Sequence, residues 1–190
     1  APTQVVAIPI AQHKEGVLEA AAGLRDRLTA AGIRVSMDDS DQSAGWKFAQ
    51  YEMKGVPLRL EIGPKDIEAG QCVLVRRDNR EKTFVKLEDL ESEITRLLAE
   101  IHDSLYQKAL ANREANTYVA HDMAEMHKVA DGTNGFYKTM WCGDLACELK
   151  MKDEIGVTSR CMPLEQENLG ATCVCCGRPA KHMIIWGKAY

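Results

Sequence analysis

The residues with the clearest chemical meaning are cysteines. Cys142 and Cys147 form one close pair and Cys173 and Cys176 a second, about 30 residues further on. Zinc takes four soft ligands in a tetrahedron, and two short-spaced thiolate pairs supply them with little loop strain. Four thiolates leave no open coordination position, so the expected role of the metal is structural. Thr172-Cys173-Val174-Cys175-Cys176-Gly177-Arg178-Pro179 reads as a knuckle turn. Two other readings compete: buried free thiols, and a CxxC redox pair. Six of the seven cysteines fall between Cys142 and Cys176, which argues against unconnected thiols. Gly177-Arg178-Pro179 breaks the helix that a thioredoxin-like motif would open. Cys175 pairs with Cys173 as CxC in an alternative ligand set, Cys161 is a substitute ligand, and Cys72 reads as a small core residue.

Other candidates are weaker. His121 and His127 are six apart and do not share a helix face, and no Ser/His/Asp set, phosphate-binding loop or GxGxxG is present. Asp38-Asp39 and Glu88-Asp89 suit turns or helix starts. Residues 46–86 hold nine Lys/Arg against six Asp/Glu, a local +3 in a chain of net −4. Trp46, Phe48 and Tyr51 accompany that stretch. Phosphate attraction with base stacking would use such a combination, while the plainer reading is a solvated surface with aromatics in the core. The overall charge excludes a strongly basic nucleic-acid binder. No apolar run reaches the roughly 20 residues of a membrane span, and the N-terminus lacks the pattern of a signal peptide. The missing initiator Met points to a fragment or a processed chain.

These residues need a scaffold, and the sequence supplies one. Gln4–Ile10 is β-rich and apolar, and Gly16–Ala31 carries Val17, Leu18, Ala21, Leu24 and Leu28 at helical spacing. Ile33–Met37 and Leu58–Ile62 alternate like strands. Ser43 caps a helix from Ala44 to Lys54 that ends at Gly55, with Trp46 assigned to the core. Gln71–Arg77 and Thr83–Leu87 form two strands around a turn at Asp78-Asn79-Arg80. Leu87–Ala111 is a long amphipathic helix with Leu90, Ile94, Leu97, Leu98, Ile101, Leu105 and Leu110 on one side. This order predicts an α/β fold: a three-layer domain with a mixed sheet over residues 1–110. Residues 111–190 follow as a small α+β domain with a helix near Tyr118–Asp131, another over Asp144–Glu154, and β-like runs at Val157–Met162 and His182–Trp186.

The segment DDSDQSAGWKFAQYEMKGVPLRLEIGPKD, from Asp38 to Asp66, resembles the anticodon-binding domain of prolyl-tRNA synthetase. Val6-Ala7-Ile8-Pro9-Ile10 fits that family's first strand. The cysteine-rich part is similar to the zinc-binding C-terminal domain of the archaeal/eukaryotic-like form, with Cys142, Cys147, Cys173 and Cys176 matching its four ligands. Tyr190 resembles the terminal tyrosine that reaches back toward the catalytic domain. The resemblance covers nearly the whole chain. It implies a cytoplasmic, homodimeric ligase that activates proline with ATP and magnesium in a catalytic domain N-terminal to residue 1, and a fragment that binds proline tRNA without catalysing.

Within that resemblance, proline anticodons share two guanines. Guanine O6 and N7 accept from Arg or Lys, and its N1–H and N2–H donate to a carboxylate. Glu52, Arg59 and Lys65 fit those needs, Phe48 is a stacking platform, and Lys82 and Arg76 hold phosphate or a base edge. An ordinary ion pair is the competing account of Glu52 and Arg59. Asp38-Asp39-Ser40 stands where many relatives carry an Arg at the third position, which removes a phosphate contact there. Two further function classes compete: a zinc-stabilised protein-interaction module and a thiol redox enzyme.

Overall fold

The computed structural model describes residues 1–188, so the expectation for Tyr190 lies outside the described residues. The chain divides into two compact units, Ala1–Gln107 and a second from Lys108 onward.

The first unit holds one five-stranded sheet in the order β2-β1-β3-β4-β5, built from β1 (Val5–Pro9), β2 (Val35–Met37), β3 (Leu58–Ile62), β4 (Gln71–Arg76) and β5 (Lys82–Lys86). β1 pairs parallel with β2 and β3, while β3–β4 and β4–β5 are antiparallel, so the sheet is mixed. β1 is buried along its whole length because both of its faces are covered. Val5 and Ala7 join Leu58, Leu60, Cys72 and Leu74 in a core under α1 (Val17–Ala30) and α4 (Leu90–Ala115). Val6 and Ile8 face the other way, under Phe48 and Tyr51 of α2 (Ala44–Met53). The result is the three-layer arrangement that alternating strands and helices imply.

Helix ends follow local chemistry. The Ser43 hydroxyl accepts from Trp46 N–H at 3.3 Å and starts α2. Gly55 at φ +76° turns the chain out of α2, a conformation that costs glycine little. A short helix that the sequence did not announce, α3 (Pro64–Glu68), follows β3, its Gly63 N–H donating to the Asp66 carboxylate at 2.9 Å.

Two expectations are corrected. Trp46 is 47 % exposed rather than core, because the inward face of α2 is taken by Lys47, Phe48 and Tyr51. In α4 only Leu90, Ile94, Leu97 and Ile101 are fully buried. Leu105 is half exposed, so the helix runs past the sheet it covers.

The second unit contains β6 (Thr117–Val119), α5 (Met123–Ala130), β7 (Phe136–Trp141), α6 (Leu145–Ile155), β8 (Val157–Cys161) and β9 (His182–Lys188), with sheet order β6-β7-β9-β8. Tyr118 and Val119, expected in a helix, form β6 instead, held by parallel pairing with Tyr137 and Lys138 of β7. That approach needs Gly135: a Cβ there would run into the carbonyl oxygen of Asn116. Trp186, Tyr137, Met126, Met151 and Ile184 fill the core, and the buried Trp186 Nε1 donates to Thr139 Oγ1 at 2.8 Å. No described helix is long and apolar enough to cross a membrane.

Candidate metal centre and nucleic-acid interface

The second unit brings four sulfurs together. Cys142 follows the last residue of β7. Asp144 then caps α6, its carboxylate accepting from Ala146 N–H at 3.0 Å, and Cys147 sits in the first turn of that helix. The other two cysteines lie in a tight turn closed by Cys173 N–H to Arg178 O at 2.8 Å and Gly177 N–H to Cys173 O at 3.0 Å. A bridge between Thr172 and Pro179 fixes its base, and Val174 N–H donates to Met140 O at 2.9 Å, docking the turn on β7. The Sγ atoms of Cys142, Cys147, Cys173 and Cys176 all lie within 4.8 Å of one another, close enough to hold one metal ion. Cys142–Cys147 is 3.7 Å and Cys142–Cys176 is 3.8 Å.

Cys72 is fully buried within β4 of the first sheet, far in sequence from the cluster, and its thiol is pushed up to about 12 by burial. Cys161 is exposed at the end of β8 and stands outside the cluster, as does Cys175. Burial raises the Cys147 and Cys173 thiols, whereas Arg178 pulls Cys176 down to about 6. Arg178 is a partner the sequence reading passed over. Its Nε donates to Cys176 Sγ at 3.3 Å and its Nη2 to the Asp144 carboxylate at 2.6 Å.

In the first unit, one sheet face gathers several of the expected residues. α2 presents Phe48 and Glu52 one helical turn apart, and β3 presents Arg59 and Glu61 two residues apart, so each pair shares a side of its element. The Arg59 guanidinium lies 3.8 Å from the Phe48 ring centroid. Its Nε donates to Glu61 at 2.8 Å, and its Nη1 stands 3.5 Å from Glu52. Lys82 approaches Glu61 at 4.0 Å, and Arg80 approaches Glu52 at 3.8 Å. Arg59 and Glu61 are nearly buried while Glu52 is partly exposed.

Lys65 is exposed on α3, just beyond the end of β3. Arg76 is not brought to this face. It follows Cys72 and Leu74 onto the opposite side of β4, where Asp78 binds it through two hydrogen bonds of 3.0 and 2.7 Å and Glu100 of α4 through one of 3.3 Å. Lys47, counted in the positive stretch, is buried and neutralised: its Nζ donates to Gln12 Oε1 and Asp38 O, both at 3.0 Å, with the Asp38 carboxylate at 3.7 Å. Glu61 was missed by the sequence reading although its spacing of two from Arg59 within a strand was the signal.

Residues 4–97 match the Anticodon binding domain family, and residues 123–190 match the family described as Prolyl-tRNA synthetase, C-terminal. Among curated relatives, proline–tRNA ligase 2 of Bacillus cereus and the proline–tRNA ligase of Clostridium novyi are each 58 % identical over all 190 residues, and that of Ruminiclostridium cellulolyticum is 57 % identical. The chain spans 40 % of the length of these relatives. Neither matched stretch is a catalytic domain. By these two domains and this identity, the chain belongs to the prolyl-tRNA synthetase family, of which it carries the anticodon-binding and C-terminal parts.

Proposed function

We propose that this chain reads the anticodon of a proline-accepting tRNA on the α2-covered sheet face, and that a zinc ion held by Cys142, Cys147, Cys173 and Cys176 braces the second unit. The observation that carries the first part is the Arg59 guanidinium, held against the Phe48 ring between two carboxylates. Arg59 offers donors to guanine O6 and N7, and Glu52 accepts from N1–H and N2–H. In the free chain these two groups face each other at 3.5 Å, a long contact that a guanine edge can replace. Glu61 keeps its shorter bond to Arg59 throughout, so the guanidinium stays oriented when Glu52 turns to the base. Phe48 carries Arg59 on its ring, and the surface a base stacks on is this guanidinium–ring pair. Lys65 and Lys82 supply phosphate attraction at the margins.

The metal assignment rests on distance and donor type. A tetrahedron with Zn–S bonds of about 2.3 Å has sulfurs about 3.8 Å apart, which the pairs at 3.7 and 3.8 Å match. Four thiolates around zinc leave no place for water or substrate, so the ion contributes folding free energy and no chemistry.

The division into an anticodon-binding domain and a zinc-binding domain falls within α4, near residue 110. In the whole protein, a cytoplasmic homodimer by this reading, proline would be activated with ATP and magnesium and joined to its tRNA elsewhere in the chain. The test is binding of an RNA hairpin carrying a UGG anticodon loop. Glu52→Ala and Arg59→Ala should each weaken it, and affinity should fall with salt as phosphate contacts require.

A further inference from the structure

Strand register sets out the open part of the same sheet face. Val6, Arg59, Val75 and Lys82 form one row across the strands, and Ile8, Glu61, Val73 and Phe84 the next. α2 sits over the β1 end of these rows, against Val6 and Ile8. At the β5 end Phe84 is 67 % exposed, more than any other aromatic side chain among the described residues. Its neighbour Val85 points to the opposite face and fills the core, so the strand is anchored without Phe84. The residues two before and two after it on the same face are Lys82 and Lys86, both exposed. A phenyl ring two-thirds exposed between two ammonium groups contributes little to the core. It has the composition of a platform for a base with its phosphates.

Resting on the anticodon reading above, we propose that Phe84 stacks an unpaired base next to the guanine pair, with Lys82 and Lys86 receiving the flanking phosphates. The occupant is a single-stranded RNA nucleotide, because the patch offers one flat π-face and two cations, while its nearby carboxylates are already engaged, Glu61 by Arg59 at 2.8 Å and Glu88 by Lys86 at 3.6 Å, an exposed pair that a phosphate can replace. Phe84 would therefore add affinity with little sequence preference. It would continue the surface begun by Phe48 and Arg59 across β4 to the edge of the sheet.

The test uses the whole 190-residue chain, as parent, Phe84→Ala and Phe84→Trp, with a UGG-loop hairpin and two versions in which the nucleotide on the 5′ or the 3′ side of the guanine pair is abasic. Phe84→Ala is expected to weaken binding about tenfold and Phe84→Trp to keep it within about threefold of the parent. The salt dependence should stay unchanged, since no phosphate contact is lost. One of the two abasic hairpins should bind Phe84→Ala as well as the intact hairpin does. An unchanged melting temperature shows that the exposed substitution leaves the fold alone. Parent-like affinity of Phe84→Ala, or losses that add at both abasic positions, would overturn the stacking role. A parent chain that bound a loop with both guanines replaced equally well, while Phe84→Ala still lost affinity, would instead overturn the guanine reading and spare the platform. Absence of hairpin binding by the parent would overturn both.

Discussion

Arg178 donates to the Asp144 carboxylate at 2.6 Å and so ties the turn bearing Cys173 and Cys176 to the N-cap of α6, whose first turn carries Cys147. Both side chains are largely exposed, and an exposed pair of this kind contributes little stability by itself. Its weight comes from the second contact, Arg178 Nε to Cys176 Sγ at 3.3 Å, which sets a positive charge beside a thiolate.

Groups that hydrogen-bond metal ligands typically change metal affinity 10- to 100-fold. Arg178→Gln is therefore expected to speed zinc transfer to a chromogenic chelator by about tenfold, with the zinc content of the freshly purified chain unchanged. Transfer at the parent rate would show that the arginine does nothing for the metal.

Metal removal should act on one unit only. The cluster joins the end of β7, the start of α6 and the 173–176 turn, whereas the core of the first unit is built from Val5, Leu24, Leu60, Leu74, Ile94 and their neighbours without any of these cysteines. Scanning calorimetry with a chelator should lose the transition of the second unit and retain that of the first. A single unchanged profile would contradict this.

Thr139→Val should destabilise the second unit by about 1–3 kcal/mol, because it keeps the shape and leaves a buried donor unpaired. The donor is Trp186 Nε1, and both side chains have zero exposure. Urea unfolding followed by tryptophan fluorescence reads the change.

The Arg76 guanidinium beside Asp78 holds that carboxyl below its ordinary value of 3.8. A carboxyl with a lowered folded-state pKa contributes stability that is full above the unfolded value and is lost as pH falls through the folded one. The first unit should thus lose this contribution only below about pH 4, and Asp78→Asn should lower its stability at neutral pH while flattening the acid limb of the curve. A variant with the parent's pH dependence would remove Asp78 from the account.

Much of the fold was legible because it is locally encoded. The Ser43 cap, the stop at Gly55 and the unbroken apolar β1 are each readable from a few residues. What was not legible depends on partners distant in sequence. β6 is three residues long and exists by pairing with β7; Thr117, Tyr118 and Val119 favour a strand, but so short a run beside a helical pattern does not stand out. Trp46 was misplaced because a large aromatic near a helix start reads as core, and only the contacts of Phe48 and Tyr51 show which side of α2 faces inward. Glu52 and Arg59 were singled out by chemistry and resemblance, and the structure places them 3.5 Å apart. Arg76 was grouped with them by charge, although alternation with Cys72 and Leu74 already sends it to the other face. The same alternation, with Val85 inward, would have exposed Phe84. Arg178 required the turn geometry itself, since only the folded turn brings it both to Cys176, two residues back, and to Asp144, 34 positions away.

The central claim is that the Phe48–Arg59–Glu52 arrangement reads guanine. The most direct measurement compares the affinity of the chain for a UGG-loop hairpin with its affinity for the same hairpin bearing adenine at both guanine positions, at one salt concentration. Discrimination of about tenfold or more per guanine is expected, and it should collapse in Glu52→Ala without a change in salt slope larger than one contact explains. Equal affinity for the two hairpins would contradict it.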